Sequence, residues 1–148
     1  MSLNDLVNLD QFTALTLEVT GEGEVQIHGE LKDTDKTCPA CGKEANKPHQ
    51  YYEKRVRHRP MMDKPTYLVF ERKDWICECG KVFLERLSFQ DLGSKNTQAY
   101  EKYIFRQCRY TPTDTVAKEE GLHWDTVAKI FKKGSLSERR SAQAGGCR

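Results

Sequence analysis

The sequence lacks the features that would place the chain in a membrane or on the secretory route. None of its apolar runs approaches the roughly 20 residues that a transmembrane helix requires. The N-terminus has neither the basic start nor the apolar stretch of a signal peptide. We therefore predict a cytoplasmic protein with no membrane partner.

Apolar side chains are also scarce. Only 37% of the 148 residues are hydrophobic, whereas 31% are charged, which is a polar balance for a globular chain. This length fits one ordinary domain or two small ones, and the composition has less apolar material than a single large core would use. We therefore expect something other than a core to help stabilise the fold.

The net charge of +2 conceals an uneven distribution along the chain. Met1–Thr37 contains 2 basic and 8 acidic residues, a net of −6. Lys43–Lys73 contains 9 basic and 4 acidic residues, a net of +5, and Ser94–Gly134 contains 8 and 5, a net of +3. Two positively charged segments favour a polyanionic partner.

Four of the six cysteines form two short motifs. The first is Cys38-Pro-Ala-Cys41-Gly42 and the second is Cys77-Glu-Cys79-Gly80. In a reducing compartment such cysteines favour metal ligation over disulfides, and two tight turns can present four thiolates to one tetrahedral zinc ion. We predict a single structural zinc bound by Cys38, Cys41, Cys77 and Cys79. The alternatives are a redox C-x-x-C pair and buried free thiols, although neither motif lies in a thioredoxin-like βαβ context.

Two histidines and the two other cysteines receive less specific interpretations. His49 and His58 could replace a cysteine as ligands, but we interpret each as a surface or DNA-facing residue. Cys108 falls on the apolar face of a predicted helix and is interpreted as a small core residue. Cys147 lies near the C-terminus and has no evident partner.

Strand patterns dominate the chain up to residue 93. Alternating apolar and polar residues predict one hairpin before the first cysteine motif, and a strand-like pattern continues from Tyr51 to Phe83. The strands are expected at Ala14–Val19, Val25–Leu31, Tyr51–Arg57 and Tyr67–Arg72, and the last two are separated by a Pro60-Met-Met-Asp-Lys-Pro65 connection whose prolines exclude a helix. A short helix is expected before them, over Asn4–Asp10.

Helical periodicity replaces the strand pattern in the next segment. Tyr100, Tyr103, Ile104 and Cys108 share one face of a helix expected over Thr97–Arg109. The sequence Thr111-Pro-Thr-Asp114 then predicts a helix start capped by Thr111. Gly121 predicts a left-handed end to that helix, with a further helix opening near His123. This spacing predicts a helix-turn-helix, and the alternative is a helix pair that packs only within its own domain.

Two sets of residues are candidates for contact with double-stranded DNA. In a helix-turn-helix, the second helix would present base-facing residues to the major groove. These candidates are Trp124, Asp125, Thr126, Ala128 and Lys129, with Lys132 and Lys133 near phosphates. The second set is Arg55, Arg57 and Arg59, which share one face of a strand and can follow the phosphate backbone or enter the minor groove. A solvated sheet face is the alternative for these arginines.

The predicted fold class is α+β. Residues 1–93 are expected to form a small zinc-stapled, zinc-ribbon-like β module, and residues 94–134 a helical DNA-binding unit. Residues 135–148 are small and polar without apolar periodicity, so we expect a disordered tail there. The sequence leaves open whether the protein forms a homodimer, and no small-molecule substrate is expected.

The order of these parts resembles the N-terminal DNA-binding region of the ISL-three group of bacterial insertion-sequence transposases. The resemblance covers roughly Leu6 to Lys133. It depends most on Trp75-Ile-Cys-Glu-Cys-Gly-Lys-Val-Phe83 and on Gly121-Leu-His-Trp-Asp-Thr-Val127. It implies zinc ligation by the four motif cysteines and DNA contact by Trp124 to Lys133.

The same resemblance sets the functional expectation. Members of the group recognise the terminal inverted repeats of their element through this region, and continue into a nuclease-like domain that this sequence does not show. We therefore expect DNA binding without catalysis. A stand-alone transcriptional regulator and a zinc-stabilised protein-interaction module are the alternatives.

Overall fold

The computed structural model describes residues 11–32, 34–91 and 94–144, the last four of these by backbone alone. It divides the chain into two compact units between Thr97 and Gln98, the first built on a β-sheet and the second on helices. The predicted α+β class is thereby confirmed. The predicted helix over Asn4–Asp10 and the residue Cys147 lie outside the described residues.

The sheet unit contains five strands. They are β1 (Phe12–Val19), β2 (Val25–Leu31), β3 (Lys47–Met61), β4 (Lys64–Ile76) and β5 (Val82–Leu84). Strands β1 and β2 form one antiparallel hairpin and β3 and β4 form another, so the predicted hairpin before the first cysteine motif and the predicted strands after it are confirmed. Strand β4 lies at the centre of the sheet, because its other edge pairs with β2 in parallel and with β5 in antiparallel orientation.

The parallel pairing of β2 with β4 joins the two hairpins into one sheet with a common core. Val25–His28 pair with Thr66–Val69 in this register. Alternate residues of the central strands then point to one buried face. The buried cluster consists of Phe12, Val25, Ile27, Val56, Leu68, Phe70 and Leu87. This cluster packs against only part of the sheet. The cysteine motifs lie outside the cluster, at the end of the sheet where β4 leads into β5.

The helical unit contains three helices. They are α1 (Gln98–Tyr110), α2 (Thr113–Glu120) and α3 (Trp124–Ala144). Their buried cluster is Tyr100, Ile104, Val116, Ala117, Val127 and Ile130, and it includes Tyr100 and Ile104 from the apolar face predicted for the first helix. Cys108 is half-buried against this cluster, which confirms its interpretation as a core residue. None of the helices in the described part of the chain combines the length and apolar character that a membrane crossing demands.

The turn between α2 and α3 is defined by Gly121. This residue adopts left-handed geometry with φ of 66°, and the N–H of Leu122 donates to the Ala117 carbonyl at 2.8 Å, as in a glycine-terminated helix. The start of α2 differs from the prediction. Pro112 occupies the cap position without a side-chain cap hydrogen bond, and the Thr111 N–H bonds backwards to Gln107, so Thr111 is not the cap.

Gly121→Ala is expected to lower the free energy of unfolding by about 1–2 kcal/mol, because an L-residue is strained in left-handed geometry. Gly21→Ala is the matched control. An added Cβ meets no atom within 4 Å at either position, but only Gly121 of the two has a positive φ. Denaturant titration of both variants measures the difference, and equal losses at the two positions would contradict the explanation.

Helix α3 is longer than the sequence indicated, since it continues through Gly134 to Ala144. The expected disordered tail is therefore wrong for residues 135–144. The helical unit was expected to end at Gly134, but this glycine is a close-packing residue within the helix: a Cβ there would lie 2.5 Å from the Phe105 ring. Beyond Gly134, Glu138 of α3 pairs with Arg109 of α1. Residues 135–144 contain no proline that would interrupt the helix.

Candidate zinc centre and nucleic-acid interface

The four motif cysteines converge at one end of the sheet unit. Cys38 and Cys41 lie in a turn whose flanking residues, Thr37 and Glu44, form an antiparallel bridge. Cys77 and Cys79 lie in the turn between β4 and β5. All four Sγ atoms are within 4.8 Å of one another. Two hairpin tips therefore present the four thiols together, as the spacing predicted.

The sulfur positions fit one tetrahedral zinc ion. A Zn–S bond of about 2.3 Å implies an S–S separation of about 3.8 Å in a regular tetrahedron. The Cys38 and Cys79 sulfurs are 3.7 Å apart, and the Cys41 and Cys77 sulfurs are 3.3 Å apart. The C-x-C spacing of the second motif therefore does not prevent a four-sulfur site. Four thiols of this arrangement can bind one zinc ion.

Backbone hydrogen bonds give the two turns a similar form. The Cys38 N–H donates to Lys43 at 2.8 Å, and the Gly42 N–H donates to Cys38 at 3.0 Å. In the second turn, Cys77 donates to Lys81 at 2.9 Å and Gly80 donates to Cys77 at 2.9 Å. Gly42 and Gly80 have φ of 76° and 90°, which explains why a glycine follows each cysteine pair.

The surroundings of Cys38 and Cys41 shift the pKa values of these two thiols in opposite directions. Burial opposes ionisation of Cys38, but hydrogen bonds from the backbone N–H groups of Cys41 and Ala40 outweigh burial and lower its pKa to about 7. Around Cys41, the Lys43 N–H favours the thiolate. The neighbouring Cys77 thiol and burial outweigh that hydrogen bond and raise the Cys41 pKa to about 11. Cys38 is thus the more acidic of the two thiols before metal binds.

Sequence reasoning missed one residue that organises this end of the sheet, the buried Glu85. Its carboxylate accepts hydrogen bonds from the Thr34 hydroxyl at 2.7 Å, the Lys73 N–H at 3.1 Å and the Trp75 indole at 3.2 Å. It therefore connects the segment before the first cysteine motif with the strand that leads into the second. No motif in the sequence identifies a lone glutamate after β5 for this role.

The two histidines do not belong to the four-thiol set. His49 is exposed. His58 is 3% exposed, with Nδ1 at 2.8 Å from the Thr97 hydroxyl. The interpretation of His58 as a surface or DNA-facing residue is therefore wrong, because even-numbered side chains in this part of β3 point into the core.

The three arginines of β3 do share a face, but their surroundings differ. Arg55 pairs with Glu24 at 2.5 Å, and its guanidinium lies 3.8 Å from the centre of the Tyr67 ring. Arg57 is half-buried and Arg59 is exposed. The side chain of Arg55 is thus oriented by two neighbours, whereas Arg59 extends into solvent.

The candidates on α3 also fall into groups. Trp124 is 62% exposed, beside the His123 ring at 5.5 Å, and Lys132 is exposed. Asp125 pairs with Lys129 at 3.1 Å, and Lys133 pairs with Glu101 at 3.2 Å. Thr126 and Ala128 are half-buried. The first residue of α3 is therefore accessible to solvent. Lys129 and Lys133, in contrast, form ion pairs with acidic residues of the helical unit.

Two further basic residues on α3 were missed because the helix was expected to stop at Gly134. Arg139 and Arg140 are both exposed. Their position on the continuous helix follows from the favourable helix propensity of the arginine, glutamine and alanine residues beyond Gly134.

Comparison with known protein families identifies the zinc end of the chain. Residues 35–79 match the family described as zinc-finger of transposase IS204/IS1001/IS1096/IS1165. The match includes the four cysteines and the basic strand, and does not extend to the helical unit, where the wider resemblance stays a prediction. Comparisons with curated proteins and with solved structures give no match. Residues 35–79 are thus similar to the zinc finger of these transposases, which supports a transposase-related, DNA-binding role for the chain.

Proposed function

We propose that this protein binds double-stranded DNA sequence-specifically and recognises the terminal inverted repeats of an insertion sequence. The observation that carries the proposal is the transposase zinc finger at residues 35–79, with its four thiols gathered at one point. The two positively charged segments, Lys43–Lys73 and Ser94–Gly134, supply lysine and arginine side chains that can neutralise DNA phosphates.

We interpret α2 and α3 as the helix-turn-helix that reads bases. In support, the Gly121 turn leaves the first residues of α3 accessible, with Trp124 62% exposed. The N-terminal residues of a recognition helix contact base edges in the major groove. Farther along α3, the exposed Lys132, Arg139 and Arg140 supply cations for phosphates.

The sheet unit would add contacts to the DNA backbone. Arg59 is exposed on the same face of β3 as Arg55 and Arg57, and such a row can neutralise phosphates. The zinc ion would be structural, since four thiolates fill tetrahedral coordination and leave no position for a substrate or an activated water. We therefore propose binding without catalysis for the residues described.

Selection from a random-sequence DNA pool tests the proposal. The zinc-loaded protein is expected to enrich one motif, with affinity that falls steeply as salt rises. Folded, metal-loaded protein that enriches no motif would overturn the proposal in favour of an interaction module. Trp124→Ala is expected to weaken binding to the enriched motif more than binding to random DNA, because it removes a base-facing side chain.

Lys132→Gln separates phosphate contact from base reading. It is expected to weaken binding to the motif and to random DNA alike, and to reduce the salt slope by about one, because one phosphate contact is lost. Lys102→Gln is the matched control, since Lys102 is an exposed lysine of α1. An unchanged salt slope in Lys132→Gln would contradict the assignment of α3 to the DNA.

A further inference from the structure

The turn between β3 and β4 has an unusual composition for its geometry. Its two central residues, Met62 and Asp63, have φ of 54° and 58°. Two-residue hairpin turns of this form favour Asn-Gly or Asp-Gly, because both central residues must adopt positive φ. Asp63 is acceptable there, since aspartate is enriched in left-handed geometry, but an unbranched apolar residue such as methionine is uncommon. Turn formation therefore does not explain Met62.

Packing does not explain Met62 either. Its side chain is 61% exposed, the largest exposed fraction of a large apolar side chain among the described residues of the sheet unit. Met61, directly before it, packs against the core cluster. Met61 therefore contributes to the core, whereas Met62 is exposed to solvent at the tip of the hairpin.

The base of the turn holds this tip in a fixed position. The Met61 N–H donates to the Thr66 hydroxyl at 2.9 Å, and Thr66 itself is completely buried. Pro60 and Pro65 flank the turn and restrict the backbone on each side. The tip is therefore a short, stiff projection from the core.

Positive charge surrounds the projection. Arg57, Arg59 and Lys64 lie on the strands that lead into and out of the turn, against one acidic residue, Asp63. Arg59 is exposed and Lys64 is partly exposed. An apolar tip with cations beside it matches the minor groove of DNA, where proteins insert methionine, leucine or proline between base steps while cations contact the adjacent phosphates.

We propose that Met62 is a wedge that inserts into the minor groove of duplex DNA and bends it, with Arg59 and Lys64 on the flanking phosphates. The proposal rests on the DNA binding proposed above, and adds a contact by the sheet unit that depends on shape and deformability instead of base edges. Flexible pyrimidine–purine steps are the expected insertion points, because they unstack most readily.

Met62→Asn tests the wedge without endangering the fold. Asparagine suits the turn better than methionine, so this variant is expected to keep its zinc and to unfold at an equal or higher denaturant concentration. It should nevertheless lose the DNA bend, measured by energy transfer between dyes at the two ends of a duplex carrying the enriched motif. Affinity for that duplex should fall on the order of tenfold, because the unstacking contact is gone.

Two further variants complete the experiment. Met62→Leu keeps an apolar wedge and should retain the bend. Leu17→Thr removes a different exposed apolar side chain of the sheet unit, 37% exposed, and should bend DNA like the wild type. A Met62→Asn protein that binds and bends the duplex like the wild type would overturn the wedge alone. Wild-type protein that binds no duplex would overturn the DNA function as well.

Discussion

Cys38→Ser is expected to abolish the binding of one zinc ion per chain and to unfold the cysteine end of the sheet unit. Zinc contributes about 10–16 kcal/mol to the folding of isolated zinc-finger peptides, which is at least as large as the whole stability of a typical small domain. Cys38 is 1% exposed and its sulfur is 3.7 Å from that of Cys79. Loss of this one sulfur therefore leaves only three thiols for a metal that takes four ligands.

Metal analysis and tryptophan emission measure this loss. Trp75 is 8% exposed and lies two residues before Cys77, so unfolding at this end should shift its emission to the red. A chelator added to the wild type should reproduce the shift. Lowering the pH should do so too, because protons compete with zinc for the thiolates.

Cys108→Ser is the matched control for the same substitution. Cys108 is half-buried against the helical core and lies outside the four-thiol set. This variant should retain one zinc ion per chain and lose only a small part of its stability. Full zinc binding by Cys38→Ser would contradict the four-thiolate centre.

Ile104→Ala is expected to destabilise the helical unit by about 2–5 kcal/mol, which is the usual loss when a buried isoleucine is truncated. Ile104 is completely buried and belongs to a core cluster that contains only helical residues. The sheet unit has a separate buried cluster and the four thiols. The variant should therefore keep its zinc while losing helical structure and, with it, preference for the enriched DNA motif.

Far-ultraviolet circular dichroism during denaturant titration measures the helical loss, and metal analysis of the same samples measures zinc. Leu136→Ala is the matched control, because Leu136 is 44% exposed on α3 and its truncation removes little buried surface. If Ile104→Ala released zinc at the denaturant concentration that melts the helices, the independence of the two cores would be disproved.

Local signals in the sequence were sufficient for the zinc centre and for most helix and strand positions. Each Cys-x-Cys-Gly or Cys-x-x-Cys-Gly motif specifies its own turn, because the thiols and the positive-φ glycine lie within five residues. The helical core was predictable for the same reason: Val116, Ala117, Val127 and Ile130 recur at helical spacing. In these regions the residues that define a feature are neighbours along the chain.

Features that depend on distant residues could not be predicted. The parallel pairing of β2 with β4 joins Val25–His28 to residues about 40 positions away. Glu85 is meaningful only once Thr34 and Trp75 are known to surround it. Gly134 was misinterpreted because its partner, the Phe105 ring, is on another helix. Glycine alone is equally compatible with a helix end and with close helix packing.

The uninterrupted course of α3 through Gly134 makes the helix a mechanical connection as well as a candidate reading element. At 21 residues it spans about 31 Å, given a rise of 1.5 Å per residue. The Trp124 end and the Ala144 end of the helix are therefore held in one orientation relative to each other. The close fit of Gly134 against Phe105 lies near the middle of α3 and holds this part of the helix against α1. The direction of a contact made at the start of α3 is thus fixed relative to the far end of the same helix.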